Sequence, residues 1–199
     1  MRRTLLTCGL AVATTLAVIT GCGKDERAAT STESTQTVPF DRAFIDGMVP
    51  HHERAIKMAG DAKDAGLTEP VLVDIANSII GSQQSEIDRM VQWRGDWFGS
   101  SEIDPDGGEA LGLSMEQMGM RDERMDFSSE NDVDAAFARM MIAHHEGAIA
   151  MAQLARTQAQ HKEIQALATA VIATQREEIG VMRKFVGAGE HDMSDMGGG

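Results

Sequence analysis

An internal repeat constrains the fold of this chain more than any other feature of its sequence. The stretch from Asp41 to Ala59 aligns with the stretch from Asp134 to Ala152 at an offset of 93 residues, and both contain the pattern F-x-x-x-M-x-x-H-H-E. A second stretch follows in each half, and residues 75–90 match residues 167–182 at an offset of 92. Each half therefore contains two matching segments.

All four segments show the periodicity of amphipathic helices. Apolar residues recur every three or four positions, with Ala, Met, Glu and Gln between them. Short turns are predicted near residues 66–70 and 158–162, so each half forms a helical hairpin. A lone hairpin cannot bury its apolar stripes, but two hairpins close a bundle. We predict an all-α four-helix bundle over residues 39–187, made of two pseudo-symmetric halves (39–97 and 132–187) and a long crossover (98–131).

Polar residues at the helix starts predict how the helices are capped. Asp41 and Asp134 open the first and third helices, and we expect each to cap its own helix. Ser114 and Gln117 have the spacing of a capping box, which predicts the start of a short helix within the crossover.

The residues before the bundle have the layout of an export signal. Arg2 and Arg3 precede an uncharged run that ends at Gly21, which is typical of a secretory signal over residues 1–21. Residues 19–22 resemble a bacterial lipobox, so we expect cleavage before Cys22 and acylation of its sulfur. A plain signal and an uncleaved anchor are the alternatives. Residues 22–38 then form a flexible linker, and the sequence predicts an extracytoplasmic lipoprotein held at the cell membrane.

The composition excludes one class of partner and favours another. The chain has 18 Lys and Arg against 31 Asp and Glu, a net charge of −13, so its surface repels phosphate backbones and nucleic acid is excluded as a main partner. It has 14 Met and no Tyr, so soft thioether side chains are abundant. Thioether sulfurs are ligands that soft metal ions prefer.

Helical phase places polar groups inside the bundle. At about 100° per residue, His51 and His52 fall within the apolar arc of the first helix, whereas Glu53 falls at or beyond its edge. The same construction places Glu86 in the middle of the stripe of the second helix. Because an uncompensated buried charge is costly, Glu86 and its counterpart Glu178 need partners in the core, and the inward histidines are the nearest candidates.

These residues form a candidate metal site. Imidazole with carboxylate suits divalent zinc, iron or copper, while imidazole with thioether suits monovalent copper, and the methionine surplus favours copper over zinc and iron. The alternatives are that the methionines only pack, and that the glutamates only neutralise His51 and His144. The candidate ligands are His51, His52, His144, His145, Met48, Met141, Glu86 and Glu178. Secondary candidates are Met90 and Met182 in the bundle and His191, Met193 and Met196 in a tail, residues 188–199, that we expect to be disordered.

The doubled motif resembles domain-of-unknown-function family 305, and the resemblance covers about residues 39–187. It implies a ferritin-like four-helix bundle and a secreted or lipid-anchored location. Some members of the family are implicated in copper binding and copper tolerance through His and Met. By this resemblance the candidate copper ligands are His51, His52, His144, His145, Met48 and Met141.

Signatures of metal-dependent catalysis are missing from the sequence. None of Glu53, Glu86, Glu146 and Glu178 is followed by His three residues later, as di-iron bundles require. The chain also has no H-E-x-x-H motif of a zinc hydrolase. We therefore assign no catalytic residue and predict copper sequestration or homeostasis. A metal-dependent redox enzyme of ferritin-like type and a structural or interaction module without metal are the alternatives.

Overall fold

The computed structural model describes residues 38–120, 127 and 130–186, and these residues form helices and loops without any strand. A short 3-10 helix, Gly107–Leu111, lies in the crossover. The predicted all-α four-helix bundle is confirmed. Its helices are α1 (Phe40–Asp64), α2 (Pro70–Phe98), α3 (Val133–Gln158) and α4 (Lys162–Val186).

Hydrogen bonds between the halves fix the directions of the helices. Asp134, at the start of α3, accepts from the backbone N–H of Thr68 in the α1–α2 turn. Asp41, at the start of α1, accepts from the backbone N–H of Gln160 in the α3–α4 turn. Helices α1 and α4 therefore begin at one end of the bundle, and α2 and α3 begin at the other. The crossover has to run the length of the bundle, as predicted, while α1 packs on α3 and α2 faces α4.

The same contacts correct the prediction that Asp41 and Asp134 cap their own helices. Helix α1 begins after Pro39 without a side-chain cap, and α3 is capped by Asp132, which accepts from the N–H of Ala135. Asp41 is buried in the first turn of α1, where it accepts from the N–H groups of Gln160 and His161, the two residues just before α4. Each of the two aspartates thus binds backbone N–H groups in the inter-helix turn of the opposite hairpin.

A buried ion pair fastens the beginning of the crossover to the bundle. Arg94 Nε lies 2.8 Å from Asp46 Oδ1, and Arg94 Nη1 donates to the carbonyl oxygen of Ser100 at 3.0 Å. The chain then passes so close to α1 that a Cβ on Gly108 would lie 2.8 Å from the Cα of Gly47. The crossover is therefore held against α1 and directed along it.

The predicted capping box forms, but it closes a turn instead of starting a helix. Ser114 N–H donates to Gln117 Oε1 at 2.9 Å, and Gln117 N–H donates to Ser114 Oγ at 3.2 Å. Gly119 ends the turn with a φ of 66°, a left-handed conformation that stops helical continuation. A Cβ on Gly147 would lie 2.0 Å from the carbonyl oxygen of Met118, so the turn rests directly on α3.

The sequence predictions about residues 1–37 and 187–199, Cys22 and the tail candidates His191, Met193 and Met196 among them, lie outside the described residues. Within the described part of the chain, none of the helices combines the length and apolar character needed to span a membrane.

Candidate metal centre

The four predicted histidines lie in the core of the bundle. His51, His52 and His145 have no exposed surface and His144 is 1 % exposed, whereas the neighbouring Glu53 is exposed. Helical phase therefore placed both histidine pairs on the correct face of α1 and α3.

The imidazole rings form a row that crosses from α1 to α3. The rings of His51 and His144 face each other at the helix interface, with centroids 3.8 Å apart. The ring of His52 lies 6.3 Å from that of His51, and the ring of His145 lies 6.5 Å from that of His144. We call these four residues the histidine row.

The glutamates bind the outer members of the row. His52 Nε2 lies 2.8 Å from Glu86 Oε2, and His145 Nε2 lies 2.8 Å from Glu178 Oε2. The prediction that inward histidines are the partners of the glutamates is therefore confirmed, whereas the alternative that named His51 and His144 as those partners is wrong. Those two rings occupy the α1–α3 interface and contact each other, which leaves the outer rings to meet the carboxylates of α2 and α4.

His51 is held by a group that the sequence could not reveal. Its Nε2 lies 2.8 Å from the carbonyl oxygen of Met118, in the crossover turn. Because a carbonyl oxygen only accepts, Nε2 carries the proton. Burial, together with the charge of His52, lowers the pKa of His51 from 6.5 to about 3, so the ring is neutral and its Nδ1 carries the lone pair.

His144 has no hydrogen bond from either ring nitrogen. Burial, followed by the charge of His51, holds the pKa of His144 well below its usual value of 6.5. This imidazole is therefore neutral as well, and it presents one lone pair inside the core.

The row leaves five buried ring nitrogens without a hydrogen-bond partner, each of which costs about 1–3 kcal/mol in an apolar interior. They are Nδ1 of His51, His52 and His145 and both nitrogens of His144. Three of the four rings meanwhile use Nε2 to bind a carboxylate or a carbonyl oxygen. Metal-binding histidines in proteins have this arrangement, with the second nitrogen oriented by an oxygen acceptor and the first free for the ion. The donor set therefore fits a metal ion.

The geometry limits the kind of metal that fits. Among the described residues, no group of three or more His, Cys, Asp or Glu side chains is placed to share one ion. A four-ligand zinc site of these residue types is therefore not formed, since Glu86 and Glu178 contact histidine nitrogens. Soft ions accept imidazole together with thioether ligands.

The predicted thioether ligands lie one helical turn from the histidines. Met48 precedes His51 by three residues on α1, and Met141 precedes His144 by three residues on α3, so each pair shares a helix face. Met48 and Met141 are fully buried, as are the secondary candidates Met90 and Met182. The ligand roles of these methionines stay predictions.

The fold and the site together place this chain in a class of all-α proteins, helical bundles with buried histidine pairs whose outer rings are oriented by carboxylates. The core of such a bundle can hold a metal ion. The model of one family, described as a domain of unknown function (DUF305), matches residues 17–94 and 68–186, and the chain belongs to this family. No curated protein matches the chain significantly.

Solved structures of similar proteins include several metal-bound forms. A Cu(I)-bound form of CopM is 30% identical, covering 73% of this chain and 94% of its own, with a TM-score of 0.58. A silver-bound form of CopM is 30% identical with a TM-score of 0.59, covering 73% of this chain and 93% of its own. A DUF305 fragment from Deinococcus radiodurans is 25% identical with a TM-score of 0.54, covering 76% of this chain and 97% of its own.

Replacing His144 with an apolar residue should stabilise the metal-free protein. His144→Leu removes two unpartnered buried nitrogens, and we expect the free energy of unfolding to stay equal or rise by about 1–2 kcal/mol. His145→Leu is the matched control, because it leaves Glu178 without its partner and should lower stability by about 2–3 kcal/mol. Urea denaturation in the presence of a chelator measures both, and equal destabilisation by the two changes would contradict the description of His144 as unpartnered.

Acid should destabilise the metal-free protein well above the range where carboxylates titrate. His51 and His144 have lower pKa values in the folded than in the unfolded chain, so the unfolded chain binds more protons below pH 6.5. Stability therefore falls as the pH drops from about 6.5 toward 3, by up to about 1.4 kcal/mol per pH unit for His51, and the lowered pKa of His144 adds a loss of the same sign. Urea denaturation between pH 7 and 5 should show a shallower slope for His144→Leu than for the wild type, and identical slopes would refute the assignment.

Proposed function

We propose that this protein binds copper as cargo, for sequestration or homeostasis outside the cytoplasm. The observation that carries the proposal is the histidine row, whose buried nitrogens lack partners while oxygen acceptors orient three of the rings. If the bundle had only to be stable, apolar side chains at these positions would give it a higher free energy of unfolding.

The protonation state of the row suits capture of an ion without prior loss of a proton. His51 and His144 are neutral at physiological pH, because burial lowers the pKa of each. Their lone pairs are thus available when the ion arrives. Since no group of three imidazole, thiolate or carboxylate side chains converges on one point among the residues that the structure describes, we propose Cu(I) with imidazole from His51 or His144 and thioether from Met48 or Met141.

The similarity to CopM supports the choice of metal. CopM structures include Cu(I)-bound, Cu(II)-bound and silver-bound forms. Both Cu(I) and Ag(I) are soft monovalent ions, the kind for which thioether ligands are selective. The donor types in this core match that preference.

Copper binding should depend on His144 and not on the acidic residues beside it. His144→Leu is expected to weaken Cu(I) binding at least 10-fold, measured by anaerobic competition with the chromophoric chelator bicinchoninate, while circular dichroism shows an intact bundle. The control is Glu53→Gln with Glu146→Gln, which changes the exposed neighbours of the histidines and should leave affinity unchanged. If His144→Leu kept wild-type affinity and altered only the melting temperature, the histidine row would serve a structural module instead.

We further propose that Cys22 carries a lipid that holds the protein on the outer side of the cell membrane, with residues 23–38 as a tether. Cys22→Ala should move the protein from the membrane fraction to the soluble fraction of lysed cells, because the substitution removes the residue that carries the proposed lipid anchor. Mass spectrometry of the wild-type protein should find an acylated cysteine at its N-terminus. A Cys22→Ala protein that still sediments with membranes would refute the lipid anchor.

A further inference from the structure

A groove between α2 and α4 is lined in part by Glu178, the partner of His145 at one end of the histidine row. It encloses about 390 Å³, and its lining includes Asp74, Glu177, Glu178 and Val181. Helices α2 and α4 pack much less closely than α1 and α3, which leaves room for the groove. We call it the α2–α4 groove.

The charges that line this groove favour a cation. Asp74, Glu177 and Glu178 contribute three carboxylates, and no basic residue lines it. A larger cleft of about 570 Å³ lies on the α1–α3 side of the bundle, but its lining balances Arg54 and Arg139 against Glu116 and Glu146. Of these two openings in the described part of the chain, the α2–α4 groove is the one whose charged lining residues are all acidic, and such a lining concentrates cations.

Glu178 connects the groove with the core. Its side chain is 11% exposed in the groove, and its Oε2 accepts a hydrogen bond from Nε2 of the fully buried His145. A cation that reaches Glu178 is therefore one hydrogen bond away from His145, an outer member of the histidine row.

The corresponding pair in the first half is shielded by a basic residue. Glu86, the partner of His52, lies 3.9 Å from the guanidinium of Arg89. The position that aligns with Arg89, 92 residues later, is Val181 in the α2–α4 groove. The two histidine–glutamate pairs thus have equal hydrogen-bond lengths, but a basic residue lies beside Glu86 where an uncharged residue occupies the aligned position of the second half.

We infer that the α2–α4 groove is the route by which a monovalent metal cation reaches the histidine row, with Glu178 as the positioning residue at its inner end. This inference rests on the proposed function, because it specifies how the proposed cargo enters. The groove carboxylates raise the local concentration of the cation, and Glu178 keeps His145 oriented toward the point of arrival.

Uptake kinetics test the inference separately from equilibrium binding. The Cu(I)–acetonitrile complex is mixed anaerobically with metal-free protein at low salt, and bicinchoninate added after varied delays reports the copper not yet bound. Asp74→Asn with Glu177→Gln should slow uptake about 3- to 10-fold, and 0.5 M salt should remove most of the difference. Val181→Arg, which copies the environment of Glu86, should slow uptake similarly.

The control removes the same number of charges elsewhere. Glu53→Gln with Asp88→Asn neutralises two exposed carboxylates outside the groove and should leave the uptake rate unchanged. Equilibrium affinity for Cu(I) should be the same in all of these variants and in the wild type.

The outcomes separate the two proposals. A wild-type protein that takes up no copper would overturn the proposed function itself. Normal copper affinity with equal uptake rates in the groove variants would overturn the groove as the route. Loss of equilibrium affinity in Asp74→Asn with Glu177→Gln would also overturn it, because these carboxylates would then belong to the binding site.

Discussion

The burial of four imidazoles between two helices is the constraint on which the rest of the structure depends. Five ring nitrogens without partners cost about 1–3 kcal/mol each, a total comparable with the 5–15 kcal/mol by which ordinary domains are stable. Large apolar residues of the core, such as Phe44 and Phe137, offset this cost by being fully buried. A ligand that binds only the folded state adds stability, so a metal ion held by these nitrogens would offset the cost of burying them.

The crossover is part of the candidate centre as well as a connection. The ion pair of Asp46 with Arg94 fixes its beginning, and the contact of Gly119 with α3 fixes its later turn. Between these points the chain is guided so that a backbone carbonyl reaches His51. The position that aligns with Asp46 in the second half is Arg139, so only the first half has this device. The bundle therefore combines two similar hairpins with a crossover that has no counterpart in the repeat, and this crossover determines which nitrogen of His51 carries the proton.

Periodicity was sufficient to predict four helices and the inward direction of both histidine pairs, because helical phase follows directly from residue spacing. It predicted inward histidines as the partners of Glu86 and Glu178 but not which histidine of each pair, since an angle on one helix does not say which neighbour lies opposite. The carbonyl of Met118 was beyond prediction for another reason: every residue has a carbonyl, and only the path of the crossover selects this one. The close approach at Gly147 was the available signal, because a glycine in a helix often marks a backbone contact.

Asp41 and Asp134 each bind the inter-helix turn of the opposite half, so each hairpin is incomplete without the other. Asp41 binds the N–H groups of Gln160 and His161, and Asp134 binds those of Thr68 and Glu69, which are the aligned positions of the opposite half. A hairpin on its own would leave its inter-helix turn without an acceptor and its aspartate without donors. A single hairpin would regain these contacts if a second, identical hairpin lay alongside it. The arrangement within this chain is therefore also the one that a two-fold dimer of half-length subunits would have.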